Sequence, residues 1–182
     1  MIRKSEEAER DALRITADAM MAAARTAPKG CGIDNIVTAV IDGEDKDDLA
    51  DEMMKIHEET GLEFFERDSG NARSSDLVIL IGVKDKPIGM PHCGLCGFSD
   101  CAANRKAGAR CVFNITDLGI AMGSAVSKAA DDRVDSRVFY SMGKAAQRLG
   151  ILGSDVKNVY GIGLSISSKS IYFDRGPRKM MQ

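Results

Sequence analysis

The most continuous apolar run in the chain extends from Leu77 to Val83, with the sequence Leu-Val-Ile-Leu-Ile-Gly-Val. A strand covered on one face alternates apolar and polar residues, whereas a strand covered on both faces is apolar throughout. The run therefore predicts a central strand with packed layers on both sides. Residues 84–92 follow it, contain Pro87, Gly89 and Pro91, and are predicted to form a loop.

The rest of the chain shows alternating helical and strand-like patterns. Apolar residues recur at helical spacing in four stretches, at 5–27, from about 45 to 61, at 116–131 and at 136–149. Strands are predicted at 36–41 and 156–166, and Phe64 and Phe65 are assigned to the start of a further short strand. Residues 167–175 are assigned to a tail. We therefore expect one domain over residues 1–182, of the α/β (α+β) class.

The predicted helix at 116–131 has small side chains along one side. Ala121, Ala125 and Ala129 lie on one line, and Gly119 and Gly123 lie on another. A face this flat allows close packing against a sheet or a neighbouring helix, which is the favoured interpretation. The alternative is a wall beside a flat cofactor ring.

Four of the five cysteines lie within nineteen residues, directly after the predicted loop. They are Cys93, Cys96, Cys101 and Cys111, with the spacing C-x2-C-x4-C-x9-C. Thiolates are the ligands of iron–sulfur clusters, and a four-iron cubane needs four of them on a chain that wraps closely around it. Gly94 and Gly97 follow two of the cysteines and allow that close approach. The spacing predicts a [4Fe–4S] cluster in a metal-binding segment, residues 84–112, that is inserted within the domain.

Other interpretations of the cysteine cluster stay open. Zinc is also bound by four thiolates, and C-G-x-C-G resembles a zinc knuckle, although zinc sites usually pair two C-x2-C units and this segment has one. The thiols could also be unligated or form a redox disulfide. His92, next to Cys93, is a candidate substitute ligand, although a solvated loop histidine is the favoured interpretation.

Composition limits the classes of partner. The formal net charge is −2 and no run is rich in lysine and arginine, so the sequence shows no footprint for nucleic acid or an anionic membrane surface. No stretch approaches the roughly twenty apolar residues of a membrane span, and residues 1–9 are charged where a signal peptide would be apolar. We expect a cytoplasmic protein whose partner is a redox protein or a small-molecule acceptor.

The remaining reactive residues give little support to other chemistry. An odd number of cysteines argues against a purely disulfide framework, which leaves Cys31 as a half-buried small side chain. The chain has no G-x-G-x-x-G after a strand, no P-loop, no G-x-S-x-G and no H-E-x-x-H. His57 lies in the acidic second helix and is expected at the surface. No catalytic residue is assigned.

Five segments of the chain resemble the ferredoxin-domain-containing proteins, a family of small bacterial and archaeal proteins of unassigned function. The segments are residues 23–29, residues 32–35, the cysteine cluster, Phe113–Val126 and Ile171–Arg175. The resemblance spans nearly the whole chain. It implies a family and no particular reaction.

A second, partial resemblance is to nitroreductase-like flavoproteins that bind FMN. Arg3-Lys4-Ser5 stands where their phosphate-binding arginine pattern lies, and Ala27-Pro28-Lys29 is similar to their Ala-Pro-Ser turn with lysine in place of serine. Asp117 through Ala130 is similar to their Ala-rich helix, while the first asparagine after the turn is Asn35. The resemblance implies a layered fold with a central mixed sheet and packed helices. It also implies FMN bound near Arg3, Lys4 and Ser5, and a homodimer with FMN at its interface.

The sequence thus predicts an iron–sulfur ([4Fe–4S]) protein that acts in electron transfer, with one iron bound by each of the four cysteines. One alternative is an FMN-dependent oxidoreductase that uses the cluster as its electron inlet, since a cluster passes single electrons and a flavin exchanges one or two. Another is a structural zinc-binding module that contacts a partner.

Overall fold

The apolar run from Leu77 to Val83 lies in an inner strand of a four-stranded sheet, in a computed structural model that describes residues 2–173. The strands are β1 (Ile36–Ile41), β2 (Leu77–Lys84), β3 (Asp135–Phe139) and β4 (Val156–Ser165). The helices are α1 (Ser5–Thr26), α2 (Gly43–Thr60), α3 (Glu63–Ser74), α4 (Cys101–Lys106), α5 (Val112–Asp131) and α6 (Tyr140–Leu149). A 3-10 turn, Gly30–Gly32, follows α1. Among the described helices, none combines the length and the hydropathy that a membrane crossing requires.

All neighbouring strands run antiparallel, in the order β1-β2-β4-β3. Ile36 of β1 lies opposite Val83 of β2, and Leu80 of β2 lies opposite Gly161 of β4. The predicted fold class is confirmed, although the described strands form an antiparallel sheet and not the mixed sheet that we expected. Parallel neighbours are usually joined by a single crossover helix. Here two helices, α2 and α3, connect β1 to β2, and the chain enters β2 in the direction opposite to β1.

Side chains of β2 alternate between two hydrophobic clusters. Ile79 and Ile81 pack with α1 and α5 on one face of the sheet. Val78 and Leu80 pack with α2, α3 and α6 on the other face. Because both faces are covered, every position from 77 to 83 is apolar, and the predicted central strand is confirmed.

The small side chains of α5 serve close packing. Ala121, Ala125 and Ala129 are fully buried in the cluster that includes α1, as the favoured interpretation expected. Gly119 and Gly123 lie on the exposed side of α5, where an added Cβ would meet nothing within 4 Å. The helix begins at Val112, earlier than the predicted position 116.

Two sequence predictions were wrong about the type of element. Phe64 and Phe65 lie in α3 and not in a strand, because Phe65 and Ala72 belong to one buried helical stripe. The predicted helix at 136–149 is divided into β3 and α6, since residues 135–139 pair with β4 along the edge of the sheet. The six-residue helix α4 within the cysteine segment was not predicted.

Candidate metal centre

The four clustered cysteines line one cavity beyond the end of β2. The space is about 390 Å³, including the part that opens to solvent. Its wall includes Cys93, Cys96, Cys101 and Cys111. Other lining side chains are mainly apolar, such as Ile88, Leu95 and Phe113. All four cysteines are free thiols, so the structure brings the predicted ligands around a common space.

The thiols are arranged around the cavity and do not form a compact ion site. In residues 2–173, no group of three or more His, Cys, Asp or Glu side chains is placed to hold one metal ion. A cubane takes each thiolate on a different iron, so its ligands need not converge as four ligands of a single Zn²⁺ ion do. The metal and its ligand set therefore remain predictions.

Two glycines shape the turn that carries Cys93 and Cys96. Gly94 and Gly97 have φ values of 59° and 84°, a region that favours glycine because it has no Cβ. The Gly97 N–H donates to the Gly94 carbonyl at 2.9 Å and closes the turn around Cys96. Both cysteines are partly exposed there. The predicted tight bend is confirmed.

Cys101 and Cys111 lie at the N-termini of two helices. Cys101 is the first residue of α4. Cys111 directly precedes α5, and its main-chain carbonyl accepts from the Ile115 N–H at 3.2 Å. Cys111 is buried and Cys101 is partly exposed. The cavity thus has one ligand candidate on the core side and three toward solvent.

Asp100 caps α4 and thereby fixes the backbone next to Cys101. Its Oδ1 accepts from the Ala103 N–H at 2.8 Å. This hydrogen bond holds the pKa of the Asp100 carboxyl below its usual value, so the cap is ionised at neutral pH. The cap orients the first turn of α4 and with it the Cys101 side chain.

We expect Asp100→Ala to retain less iron than the wild type after anaerobic reconstitution, because the uncapped first turn of α4 no longer fixes Cys101. Asp100→Asn keeps an acceptor oxygen and should retain wild-type iron. Iron per chain, measured after gel filtration, checks both variants. Equal iron in Asp100→Ala and the wild type would contradict a role for this cap.

Two buried asparagines hold the start of the cysteine segment. Asn114 on α5 donates from Nδ2 to the Lys86 carbonyl at 2.9 Å and to the Lys84 carbonyl at 3.2 Å. Asn35, before β1, donates from Nδ2 to Asn114 Oδ1 and to the Lys86 carbonyl, both at 3.1 Å. The backbone that leaves β2 is therefore tied to α5, the helix that follows Cys111.

Asn114→Ala should lower the free energy of unfolding by about 2 kcal/mol, because it leaves buried carbonyl and amide groups without partners. Urea unfolding followed by circular dichroism measures the change. Thr116→Ala, on the exposed side of the same helix turn, is the matched control and should change stability by less than about 0.5 kcal/mol. Equal losses in the two variants would show that the asparagine network adds nothing.

Asn104 connects the third and fourth cysteines. Its side-chain Nδ2 donates to the main-chain carbonyl of Arg110 at 3.2 Å. The main-chain carbonyl of Asn104 accepts from the Ala109 N–H at 3.1 Å. The side chain lines the cysteine cavity and is 1% exposed. Its Oδ1 has no hydrogen-bond partner among the described residues.

The residues that resemble a flavin site lie at opposite ends of α1. Arg3, Lys4 and Ser5 are exposed at its N-terminus. The turn after α1 borders the cysteine cavity instead, since a Cβ on Gly30 would lie 2.8 Å from Cδ1 of Phe113. A helix of 22 residues is about 33 Å long. Arg3, Lys4 and Ser5 are therefore far from the cysteine cavity of the same chain.

Lys29, which stands in place of the serine of the flavoprotein turn, caps α1. Its Nζ donates to the carbonyl of Ala24 at 2.7 Å and to that of Ala27 at 2.8 Å. A cation near these carbonyls also complements the negative end of the helix dipole. The lysine is thus engaged within its own helix terminus.

Cys31, His57 and His92 do not line the cysteine cavity. Cys31 is exposed, and not half-buried as we expected, because the 3-10 turn places it outside the core with φ of 54°. His57 is partly exposed, and its Nδ1 lies 3.2 Å from the Leu62 carbonyl. His92 is exposed on the loop, as favoured.

The sequence predictions missed the residues that support the cysteines. Asp100 carried a local signal, since an aspartate before a short helical stretch is a typical N-cap. Asn104 and Asn114 carried none, because their partners include carbonyls from other turns and strands. Asp174 and Arg175, from the resemblance at 171–175, lie outside the described residues.

Two solved structures illustrate the similarity of the fold. A nitroreductase family protein from Clostridium novyi NT superposes with a TM-score of 0.59 and 14% identity, over 84% of this chain and 74% of that one. An oxidoreductase containing FMN superposes with a TM-score of 0.60 and 12% identity, over 86% of this chain and 68% of that one. At these identities the likeness shows the fold, which is the nitroreductase-like fold that was expected.

Sequence comparison gives the family. A family model described as an uncharacterized protein containing a ferredoxin domain matches residues 107–175, a range that includes Cys111 and not the other three predicted ligands. An uncharacterized protein of Archaeoglobus fulgidus is 39% identical over 188 residues, which cover 98% of this chain and 100% of that protein. The resemblance predicted from the five sequence segments is therefore confirmed, and the chain belongs to the family of uncharacterized proteins that contain a ferredoxin domain.

Proposed function

We propose that this protein carries a [4Fe–4S] cluster on the four clustered cysteines and transfers single electrons, with each thiolate bound to one iron. The observation that carries the proposal is that four free cysteines, from a glycine turn and two helix N-termini, line one cavity. Membership of a family with a ferredoxin domain supports a redox role.

The environment of the thiols suits electron exchange at the surface. Cys93, Cys96 and Cys101 are partly exposed, whereas Cys111 is buried. The side chains of the wall are mainly apolar, and burial together with hydrogen bonds tunes a cluster's potential. When bound, a cluster supplies a centre that accepts and releases one electron. The protein's contribution is to hold four thiolates in place with one edge near solvent.

Anaerobic purification and reconstitution, with iron, sulfide, zinc and flavin measured together, test the proposal. We expect about four irons and four sulfides per chain and a broad visible absorption that dithionite bleaches. A colourless protein that holds stoichiometric zinc without sulfide would refute the proposal and favour the structural zinc module.

A second candidate function is an FMN-dependent oxidoreductase that receives electrons from the cluster. The observation that favours it is the close approach of Gly30, directly after the flavoprotein-like turn, to Phe113 in the wall of the cysteine cavity. A flavin near this turn could exchange electrons with the cluster directly. Yellow flavin released on denaturation, in addition to iron and sulfide, would support this candidate; its absence from freshly purified protein would remove it.

A further inference from the structure

Three exposed basic residues adjoin, along the chain, residues that line the cysteine cavity. Lys86 precedes the lining residue Pro87, and Arg105 and Lys106 follow the lining residue Asn104 on α4. Within residues 2–173, none of these three basic groups takes part in an ion pair. We call Lys86, Arg105 and Lys106 the basic rim.

The acidic groups near the basic rim are already engaged. Asp85 pairs with Arg110 at 2.8 Å, and Asp155 pairs with Lys84 at 3.2 Å. Asp100 is the cap of α4. Asp85 and Asp155 are each paired with a base outside the rim, so the three cations of the basic rim outnumber the one carboxylate without a cationic partner, Asp100.

This positive charge is local. Residues 84–112 contain five Lys or Arg and two Asp, a formal charge of +3, whereas the whole chain has −2, which leaves −5 on the other residues. A bound cluster with its thiolates would add negative charge within the cavity and lower this sum, whereas the side chains of the basic rim are exposed outside it. The rim therefore forms a positive patch on an otherwise acidic protein.

An exposed apolar side chain lies within the same surface. Leu95, between Cys93 and Cys96, lines the cavity and is 64% exposed. An apolar contact surrounded by charges of one sign is the form that small, transient redox interfaces take, because the charges steer the encounter and the apolar centre holds it briefly.

We propose that the basic rim and Leu95 form the docking surface for an acidic one-electron carrier protein. This inference rests on the proposed function, because the carrier exchanges its electron with the cluster in the cavity. In the forward direction the carrier's metal centre loses one electron and the cluster gains it. No bond forms or breaks and no proton moves in this step.

Charge complementarity selects this partner over others. The positive patch has three unpaired basic groups on a chain of net charge −2, which is too little for the extended footprint of a nucleic acid. The opposite charge and an apolar centre match a compact acidic protein. A second copy of this chain, whose remaining surface is also acidic, is the alternative occupant that the experiment separates.

The test measures binding and electron exchange with a plant-type [2Fe–2S] ferredoxin, an acidic protein, and with cytochrome c, a basic one. The reconstituted protein is first assayed for iron and sulfide and then titrated by calorimetry at about 20 and about 300 mM salt. Rates are measured by stopped flow in the direction that the two potentials allow. We expect ferredoxin to bind and react at low salt, the added salt to weaken both by about tenfold or more, and cytochrome c to be the poorer partner.

Two double charge-reversal variants distinguish an effect of the basic rim on binding from an effect of the protein's net charge. Arg105→Glu with Lys106→Glu should weaken ferredoxin binding at low salt by about tenfold or more. Arg133→Glu with Lys144→Glu makes the same change in net charge at exposed positions outside the cysteine segment, beyond the far end of α5 and on α6, and should leave binding within about twofold. Equal effects of the two pairs would overturn the docking surface.

Other outcomes also decide the inference. If the wild type holds about four irons and four sulfides per chain and yet ferredoxin does not bind at low salt, only the docking surface fails. If no cluster forms, the proposed function fails first. If gel filtration without ferredoxin shows a salt-sensitive dimer that Arg105→Glu with Lys106→Glu abolishes, the surface belongs to a second copy and the inference is wrong.

Discussion

Cys101→Ala is expected to lose most of the iron and the visible absorption of the reconstituted protein, while Cys31→Ala keeps both. Cys101 lines the cysteine cavity at the start of α4, whereas Cys31 is exposed on the turn after α1 and is not part of the cavity wall. We expect iron to fall from about four per chain to about one or less in Cys101→Ala.

The loss follows from the chemistry of the cluster and not from unfolding. A cubane with one ligand missing exposes an iron that water and oxygen attack, so the centre degrades. Cys101 is partly exposed and is absent from both hydrophobic clusters, so the empty variant should keep its fold. Circular dichroism of the wild type and of Cys101→Ala, both without metal, checks this point.

Cys31→Ala controls for the general effect of removing a thiol. It removes the fifth cysteine of the chain and leaves the other four in place. If both variants retain iron and sulfide equally, the assignment of Cys101 as a ligand is wrong. If both lose them equally, the ligand set must include a cysteine outside the cavity.

The central layer of the fold could be predicted because its signal is local. The run 77–83 is apolar at every position, and burial on both faces is the condition that requires it. β3 had no such signal, since residues 135–139 include Asp135, Ser136 and Arg137 and lie at the edge of the sheet. Pairing with β4, which lies more than fifteen residues away along the chain, determines this strand.

The candidate site was also predictable only where its signal is local in the sequence. The cysteine spacing and the two glycines are consecutive features of one segment, and they predicted both the common location of the thiols and the tight turn. The single long helix before the turn was predicted, but the position of its C-terminal end beside the cavity follows only from the packing of Gly30 against Phe113. Lys29 shows why a motif match alone was insufficient, because its side chain satisfies carbonyls of α1.

Gly143→Ala is expected to destabilise the fold more than Asn114→Ala does. A Cβ at Gly143 of α6 would lie 1.8 Å from the Val159 carbonyl oxygen and 2.8 Å from the Cα of Tyr160. These are backbone atoms of β4, an inner strand of the sheet, so α6 as a whole must move away. We expect a loss of about 3 kcal/mol or more in the free energy of unfolding, the upper part of the range for overpacked cores.

Gly70→Ala makes the same chemical change in a helix where there is room for it. Gly70 lies within α3, is exposed, and would have no atom within 4 Å of the added Cβ. Because alanine has the higher helix propensity, this variant should gain about 0.5–1 kcal/mol, so the two substitutions should shift the unfolding temperature in opposite directions. Calorimetry of both metal-free variants measures these shifts. A Gly143→Ala protein as stable as the wild type would mean that α6 does not lie against β4 at the distance described here.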